Sequence, residues 1–506
     1  MRRLLAGLPC LISLASATVH YKLSPQPAAK TITVSVTVDL PKSVETFRIP
    51  AWCPGYYQIA NYQKKIFDVK ATDSEGNLLQ MESPDSRTWK VFGGGRKEAT
   101  LSYKVLGDDP GLGFFAVNVQ SDKTFINGAA AFMFVDGHNT EDVSLNIKSP
   151  AGWDVATAMT SGDNQDWVAA NYDEFIDNPI QLGVFTRKTF KLMGVPFEVI
   201  FVAPENAPRC DLDLETERLK TVSKPALKMF RRSSFKKYLY ILHLEIGNFS
   251  GGLEHRSCNV QAVSNGSELH LDDLAAHEYF HAWNVKQIRP SILGPFDYTK
   301  PQRTANLWFA EGVTDYYSKL HTFQSGIRNE TWLLAQMSDQ VRELQSGRTR
   351  KTKTVEEASK GCWEQDGFSV GDLSFYTKGL IAGLILDAAI IDASHGTKTL
   401  DDVMRALYLK HEIPKPGYQE DELRTTINDV AGADLSDLYR QLIQSTDEVP
   451  YSIASKIGLR ILVPNASRNV SPSSHGSDFS VEPDPDATAQ TKNYYKIWLH
   501  RLNSIE

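Results

Sequence analysis

The sequence is poor in cysteine, with five in 506 residues. Small extracellular domains that cannot build a sufficient core depend on many disulfides, and this chain does not have that composition. The cysteines beyond the first 17 residues allow one or two disulfides, but the sequence does not predict their pairing. They are Cys53, Cys210, Cys258 and Cys362. Apolar residues make up 42% of the chain, which is enough for several hydrophobic cores without disulfides.

Long apolar runs and an excess of basic residues are also missing. No internal segment reaches the roughly 18 uninterrupted apolar residues that cross a bilayer, and the nearest, residues 379–391, contains Asp387. Lys and Arg number 54 against 61 Asp and Glu, a formal charge of −7 without the basic stripe that nucleic acid requires. At roughly 150 residues per domain, we expect a soluble protein of about three domains, without a membrane span or a nucleic-acid partner.

The first 17 residues have the pattern of a secretory signal. A basic start (MRR) precedes an apolar run over residues 4–14, and small residues follow up to Ala17. These three parts in this order are typical of a cleaved signal peptide. We predict cleavage after Ala17 and export to the periplasm or the extracellular space. A buried first strand or an uncleaved anchor is the alternative.

The pattern of the remaining chain changes from strands to helices. Residues 18–178 contain short alternating runs broken by Gly, Pro, Asp and Asn, such as the period-two run over residues 31–38. They predict an N-terminal all-β domain. Helical patterns dominate from about Leu271 to about Thr446. Residues 464–490 are rich in Ser, Asp, Pro and Asn, and predict a flexible tail.

The segment HEYFH places two histidines, His277 and His281, four residues apart. On a helix these positions project from one face, so both side chains can bind one metal ion. Glu278 follows the first histidine, where its carboxylate can reach a water on the metal and take its proton. Two unrelated histidines on an exposed helix are the alternative. The apolar residues around the motif favour a buried helix, in which a metal would satisfy the polar side chains.

A catalytic zinc site has three protein ligands and one open position. Glu311 is the candidate for the third ligand, because it interrupts an apolar helical stretch over residues 307–317. Asp315 lies one turn further along the same face, where it could accept the second ring N–H of a ligand histidine. For Glu311 taken alone, the alternative is an ordinary charge on a helix surface.

These motifs and their surroundings resemble one family of zinc metallopeptidases. Residues 283–298 (WNVKQIRPSILGPFDY) follow the two histidines, and residues 308–317 (WFAEGVTDYY) carry Glu311. Together they resemble the glycyl aminopeptidases, which belong to the gluzincins, the thermolysin-like group with two His and one Glu on zinc. Residues 50–56 (PAWCPGY) are similar to the β domain typical of that family. The resemblance extends from about residue 19 to about residue 462.

The resemblance implies further site residues. The segment GGLEH, which begins at Gly251, is similar to the family's substrate-recognition strand. In that strand Glu254 would bind the α-amine of a peptide, and the backbone of Gly251 and Gly252 would pair with an extended substrate. The segment YTKG is similar to the one with the catalytic tyrosine, so Tyr376 would donate a hydrogen bond to the developing oxyanion. Without the resemblance, the two glycines would be interpreted as a turn. Tyr376 would be interpreted as a core or capping residue.

The family's architecture implies an α+β multidomain fold with an N-terminal all-β domain, a thermolysin-like zinc peptidase core and a C-terminal α-helical lobe. The predicted boundaries are residues 1–17 for the signal peptide, 18–178 for the β domain, 179–325 for the catalytic domain, 326–462 for the helical domain and 463–506 for the flexible tail. Family members commonly carry a PDZ domain after the helical part. The residues after 462 are too few for one, so we expect it to be absent or the sequence to be truncated.

The predicted function is removal of the N-terminal residue from peptide substrates by an enzyme with one zinc per chain, with Gly or Ala preferred by resemblance. A zinc endopeptidase with an open cleft is one alternative, and a catalytically silent peptide-binding protein that retains zinc is another. The presence of Glu278 and Tyr376 is against the silent protein, because a structural zinc needs neither residue and favours four protein ligands. The sequence does not predict the oligomeric state.

Overall fold

A computed structural model describes residues 19–39, 41–109, 114–162, 166–203, 210–245, 251–264, 269, 271–364, 372–464 and 479–504. The predicted signal peptide, residues 1–17, lies outside the described residues. Within them the chain forms an all-β N-terminal part and a helical C-terminal part, which confirms the predicted α+β fold class.

The N-terminal domain consists of three sheets. Its strands and short helices are β1 (Val19–Gln26), β2 (Thr31–Asp39), β3 (Glu45–Arg48), β4 (Ile66–Thr72), β5 (Met81–Asp85), β6 (Thr88–Val91), β7 (Glu98–Leu106), β8 (Val117–Val119), β9 (Lys123–Ile126), α1 (Gly128–Ala131), β10 (Phe134–Val135), β11 (Val143–Ile147), β12 (Asp154–Ala156), β13 (Thr160–Ser161), β14 (Trp167–Ala169), α2 (Tyr172–Ile176) and β15 (Ile180–Gly183). The strand orders are β13-β14-β11-β1-β2-β7-β4, β10-β3-β6-β5 and β12-β15-β9-β8. The predicted alternating run is strand β2, in which Ile32, Val34, Val36 and Val38 are fully buried.

The β domain extends beyond the predicted boundary at residue 178. Strand β15 pairs antiparallel with β9 and with β12, and it pairs with none of the later strands that the structure describes. Ile180 and Leu182 of this strand are buried. The predicted boundary is therefore wrong by one strand, because the alternation of a short strand does not reveal which sheet it joins.

The cysteines beyond the predicted signal peptide all lie within the described residues, and none of them forms a disulfide. Cys53, Cys258 and Cys362 are buried, and Cys210 is half-buried. Burial raises the pKa of the Cys53 thiol to about 12, and burial likewise raises the pKa of Cys258. Neither thiol is therefore ionised near neutral pH, so neither has the thiolate that nucleophilic catalysis requires.

A five-stranded sheet forms the base of the second domain. It contains β16 (Thr186–Leu192), β17 (Val195–Val202), β18 (Tyr238–Glu245), β19 (Gly251–Glu254) and β20 (Cys258–Ser264), in the order β16-β17-β18-β20-β19. Strands β17, β18 and β20 are parallel, whereas β19 is antiparallel to β20 and ends the sheet. Helices α3 (Leu212–Phe230) and α4 (Asp272–Phe280) pack together, and α4 contacts β19. The edge strand therefore lies beside the helix that carries the histidine motif.

The helical lobe packs against α4 through its first helix. Its helices are α5 (Val313–Gln324), α6 (Glu330–Ser346), α7 (Val355–Lys360), α8 (Phe375–Ala393), α9 (Leu400–His411), α10 (Glu422–Ala431) and α11 (Ser436–Tyr439), with π turns at Trp308–Gly312 and Arg440–Gln444 and 3-10 turns at Ser291–Leu293, Gly361–Glu364 and Tyr451–Ile457. Helix α8 is buried along most of its length, as expected for a helix that is apolar around its whole circumference. Among the described residues, no helix combines the length and the apolarity needed to span a bilayer.

The prediction of a flexible tail is wrong for residues 479–504. Strand β21 (Leu459–Leu462) pairs antiparallel with β22 (Ser480–Pro483), and helix α12 (Ala489–His500) packs on the helical lobe. Residues 465–478 lie outside the described residues. Tyr494 and Trp498 are four residues apart on α12 and are buried, so a single apolar stripe attaches this helix. The sequence did not predict this helix because the segment before it is polar in composition.

Buried ion pairs also attach the C-terminal segment. Arg501 contacts Asp387 of α8, and its guanidinium lies 2.8 Å from Asp401 of α9. The same two carboxylates accept hydrogen bonds from Tyr316 and Tyr317 of α5, the latter at 2.9 Å. Because these side chains are almost completely buried, removing one partner leaves an uncompensated charge inside the protein. The C-terminal segment is thus connected to the helix that follows Glu311.

We expect Arg501→Ala to lower the free energy of unfolding by about 3–5 kcal/mol, the usual cost of breaking a buried ion pair. Urea unfolding followed by circular dichroism measures the loss. The matched control is Arg460→Ala, which removes an exposed pair with Glu482 on the neighbouring hairpin and should change stability little. Equal losses in the two variants would contradict a special role for the buried pair.

Candidate active site

The two motif histidines lie at the C-terminal end of α4. Burial of Ala275, Ala276, Tyr279 and Phe280 fixes the orientation of this helix in the core. His277 and His281 then project from the same face, with their Nε2 atoms 3.0 Å apart. The structure therefore brings together the first two predicted metal ligands.

Glu311 lies opposite the histidines, in the π turn Trp308–Gly312 that precedes α5. Its Oε2 atom is 3.3 Å from Nε2 of His281 and 3.7 Å from Nε2 of His277. One ligand atom from each of the three residues lies within 4.8 Å of the other two. Single π turns inside helices are frequent at functional sites, where they turn one side chain out of the α-helical register.

Close backbone packing holds the π turn in place. A Cβ atom on Gly312 would lie 2.5 Å from the Cα atom of Gly379 in α8, so neither residue has room for a side chain. The contact brings the N-terminal part of α8, which carries Tyr376, directly against the turn with Glu311. The third ligand and the predicted catalytic tyrosine are therefore positioned by one helix contact.

Hydrogen bonds fix the tautomer of both histidines. Nδ1 of His277 donates to Oδ1 of Asp315 at 2.9 Å, and Nδ1 of His281 donates to the carbonyl of Asn284 at 2.6 Å. The Asn284 amide donates in turn to the carbonyl of Phe309 at 2.8 Å. With Nδ1 engaged in these bonds, each ring directs its Nε2 atom toward Glu311. Asp315 was expected from the sequence, whereas a backbone carbonyl as the second partner leaves no sequence signal.

These residues fit a zinc ion. Two imidazole rings and a carboxylate converge in one largely buried site, with one ligand atom of each within 4.8 Å of the others. Burial alone would raise the pKa of the Glu311 carboxyl, but the adjacent histidines hold it well below its usual range. Two His and one Glu are also a ligand set of catalytic zinc sites that keep one open position.

Glu278 faces this cluster from the same helix. Its Oε2 atom is buried and has no hydrogen-bond partner among the described residues. Burial raises the pKa of Glu278 to about 7, although the charges of His277 and His281 act in the opposite direction. A buried carboxylate that is not paired within the protein is suited to hold and release a proton.

Strand β19 passes directly over Glu278. A Cβ atom on Gly252 would lie 2.4 Å from the carboxyl carbon of Glu278, so only glycine fits at this position. Gly251 belongs to the same strand and is half-buried. Glu254, at the other end of the strand, is 6% exposed. The predicted recognition strand and the predicted general base are therefore in contact.

Tyr376 lies in the first turn of α8, where Ser374 accepts hydrogen bonds as the N-cap. Its ring centre is 6.3 Å from that of His277, with the ring planes nearly parallel. Burial, followed by the negative charge of Glu311, raises the pKa of Tyr376 well above its usual range. The hydroxyl is therefore protonated at neutral pH and able to donate a hydrogen bond within the site.

The surroundings of Glu254 contain residues that the sequence reasoning missed. Gly55 of the N-terminal domain, at φ +85°, would place a Cβ atom 2.9 Å from a carboxylate oxygen of Glu254. Lys286 is buried nearby and forms an ion pair with Asp177 at 2.9 Å. Burial lowers the pKa of Lys286, but the charges of Asp177 and then Glu254 outweigh burial and raise it. Both Gly55 and Lys286 lie within motifs of the resemblance, which assigned them no role.

A third residue that the sequence reasoning missed contacts the carboxylate of Glu311 itself. Tyr57 of the N-terminal domain donates its hydroxyl to Oε1 of Glu311 at 2.6 Å. It follows directly after the segment PAWCPGY. Its position next to that segment was the available signal, but tyrosines next to turns are common and usually structural.

Comparisons with protein-family models find two matches. A model described as the peptidase M61 N-terminal domain matches residues 20–184, and a model described as M61 glycyl aminopeptidase matches residues 270–382. Together they include more than half of the chain. The second match contains every predicted metal ligand, Glu278, Asp315 and Tyr376. No protein with a curated description matches the sequence.

Comparisons with solved structures agree with the fold. An aminopeptidase N family protein from Idiomarina loihiensis is 25% identical with a TM-score of 0.81, over 88% of this chain and 80% of that one. An M1 zinc metallopeptidase from Deinococcus radiodurans is 14% identical with a TM-score of 0.54, over 87% of this chain and 97% of that one. A point mutant of the Deinococcus radiodurans enzyme, bound to a Tyr-Ser-Ala substrate, is 15% identical with a TM-score of 0.53, over 85% of this chain and 94% of that one.

The two M1 structures support the fold alone. The family models go further, because they include the residues of the metal cluster and of the N-terminal domain in the family's order. The resemblance noted in the sequence is thereby confirmed. This chain belongs to the M61 family of glycyl aminopeptidases and is a zinc aminopeptidase.

Proposed function

We propose that this enzyme removes a small N-terminal residue, Gly or Ala, from peptides with a free α-amine, and that it uses one zinc ion per chain. The observation that carries the proposal is the convergence of His277, His281 and Glu311, with the unpaired carboxylate of Glu278 beside them. These residues would hold the zinc. The preference for Gly or Ala rests on the family resemblance.

Bound zinc would supply Lewis acidity, which polarises the scissile carbonyl and lowers the pKa of the attacking water. Glu278 takes the proton of that water and delivers it to the leaving amine, because its carboxylate lies beside the predicted ligands and its Oε2 atom has no competing hydrogen-bond partner among the described residues. Tyr376 donates a hydrogen bond to the carbonyl oxygen as negative charge develops on it. Asp315 keeps His277 in the tautomer that presents Nε2.

Strand β19 is suited to bind the substrate backbone. It ends its sheet, so the edge opposite β20 can pair with an extended peptide as an added strand. Gly252 lets the peptide backbone approach Glu278 without an intervening side chain. Glu254 then binds the α-amine, which places the first peptide bond, and not a later one, at the general base.

The position of Glu254 favours an aminopeptidase over the endopeptidase alternative. Its carboxylate is buried, and Gly55 of the N-terminal domain packs against it. A longer chain that continued past this residue would have to displace that domain. A catalytically silent protein is less consistent with the site, because an unpaired buried carboxylate next to the ligands has no structural use and lowers stability.

We expect Glu278→Gln to retain zinc but to lower kcat by about 100- to 10,000-fold, the usual contribution of a general base. Metal analysis and steady-state kinetics on a Gly-peptide measure the two effects. Glu217→Gln, a similar change on the exposed face of α3, serves as the control. Near-normal turnover in Glu278→Gln would rule out the proposed mechanism.

Free and N-acetylated Gly-, Ala- and Leu-peptides distinguish the alternatives. We expect cleavage of the free peptides only, fastest for Gly and Ala, and loss of that cleavage in the presence of a chelator. Glu254→Gln should lower kcat/KM on free peptides roughly 10- to 100-fold, because a hydrogen bond to a charged group contributes about 1.5–3 kcal/mol. Equal rates on acetylated peptides would indicate an endopeptidase, and zinc binding without any cleavage would indicate the silent protein.

Export is part of the proposal and depends on the first 17 residues alone, which lie outside the described residues. The basic start, apolar run and small residues before Thr18 support it. N-terminal sequencing of the protein made in a host with a secretion pathway should find Thr18 as the first residue. An intact Met1 on the exported or retained protein would contradict cleavage.

A further inference from the structure

The carboxylate of Glu311 has partners on both of its oxygen atoms. Oε2 faces the histidines, at 3.3 Å from His281 and 3.7 Å from His277. Oε1 points the other way and accepts the hydroxyl of Tyr57 at 2.6 Å. Tyr57 belongs to the N-terminal β domain, whereas the three predicted ligands belong to the catalytic part, by which we mean the second domain and the helical lobe together. The metal cluster therefore has a direct contact across the domain boundary.

Tyr57 is held firmly in its position. The side chain is 9% exposed, and its ring lies edge-on to Trp363 at 6.3 Å and to Phe375 at 6.4 Å. Trp52, on the same loop, packs edge-on against Trp363 at 5.2 Å and donates its indole N–H to the carbonyl of Asp297 at 3.1 Å. The loop is thus attached to the catalytic part on both sides of Gly55.

The Tyr57 hydroxyl donates to Oε1 of Glu311 at 2.6 Å, and both side chains are buried. A charge-assisted hydrogen bond of this kind is short and orients both partners.

We propose that Tyr57 is a positioning residue, by which the N-terminal β domain orients the third zinc ligand. By occupying Oε1, the hydroxyl prevents rotation of the carboxylate and keeps Oε2 directed at the two histidines. A ligand carboxylate without this support would sample orientations that lose the metal. The inference rests on the proposed zinc site, and it assigns Tyr57 a role in metal binding and none in substrate binding.

The test compares Tyr57→Phe with Tyr56→Phe. Both variants lose one phenolic hydroxyl, but that of Tyr56 donates to Gln58 at 2.8 Å, away from the metal cluster. The phenylalanine ring at position 57 keeps the aromatic contacts, and thermal unfolding of the metal-free proteins checks that both variants fold. Zinc affinity is measured by competition with a chromophoric chelator, and the ligand geometry by the visible absorption bands of the Co²⁺-substituted enzymes.

We expect Tyr57→Phe to weaken zinc binding about 10- to 100-fold, the usual effect of losing a partner of a metal ligand. Its cobalt absorption bands should shift, whereas those of Tyr56→Phe should match the wild type. At saturating zinc, KM for a Gly-peptide should stay within about twofold of the wild-type value while kcat falls. If Tyr57→Phe does not fold, the same measurements on Tyr57→Leu, which also lacks a side-chain donor, replace it, with the same expected results.

Two results would overturn the inference. Wild-type zinc affinity and cobalt bands in Tyr57→Phe would show that the hydroxyl does not orient Glu311. A raised KM with unchanged zinc affinity would make Tyr57 a substrate-binding residue instead. Failure of the proposed function gives a different result, because the wild-type protein itself would then bind no zinc or cleave no peptide.

Discussion

The site depends on three side chains with metal-ligand chemistry that the fold holds close together. Two imidazole Nε2 atoms lie 3.0 Å apart and face the carboxylate of Glu311, whose pKa they hold well below its usual range. Hydrogen bonds from Nδ1 to Asp315 and to the Asn284 carbonyl prevent either ring from turning its N–H inward. A bound cation would be held by all three groups at once. Because only the folded chain presents these atoms together, metal binding and folding are thermodynamically linked.

The rest of the catalytic part keeps these atoms from moving apart. The contact between Gly312 and Gly379 fixes the turn with Glu311 against α8, whose first turn carries Tyr376. A second set of contacts joins α5 and α8. Tyrosine hydroxyls of α5 donate hydrogen bonds to buried carboxylates of α8 and α9, and the same carboxylates form ion pairs with Arg501 of the C-terminal segment. A shift of α5 relative to α8 would therefore break a close backbone contact and a buried charge network at once. The ligand geometry is rigid because both helices are fixed at two places.

Local sequence patterns predicted those features that depend on the geometry of a single strand or helix. Alternation identified strand β2, and the spacing of His277 and His281 identified a two-ligand helix face, because each follows from the geometry of one element. Tyr57 was missed because its role depends on a contact with Glu311, 254 positions away in the sequence. The ordered C-terminal segment was missed for a related reason. Its buried residues follow a long polar stretch, and Arg501 resembles a surface charge until its two carboxylates are known.

The distinction between an aminopeptidase and an endopeptidase lies outside the zinc motif. Two histidines, a glutamate ligand and a general base can hydrolyse any peptide bond that reaches them, so the motif alone selects no position on the substrate. Selection requires a fixed end to the cleft, and here Gly55 packs so closely on Glu254 that a Cβ atom would lie 2.9 Å from its carboxylate. The same loop contacts Glu311 through Tyr57. On the proposed function, the β domain therefore determines where the peptide stops and how the metal ligand is oriented, and neither property belongs to the catalytic part alone.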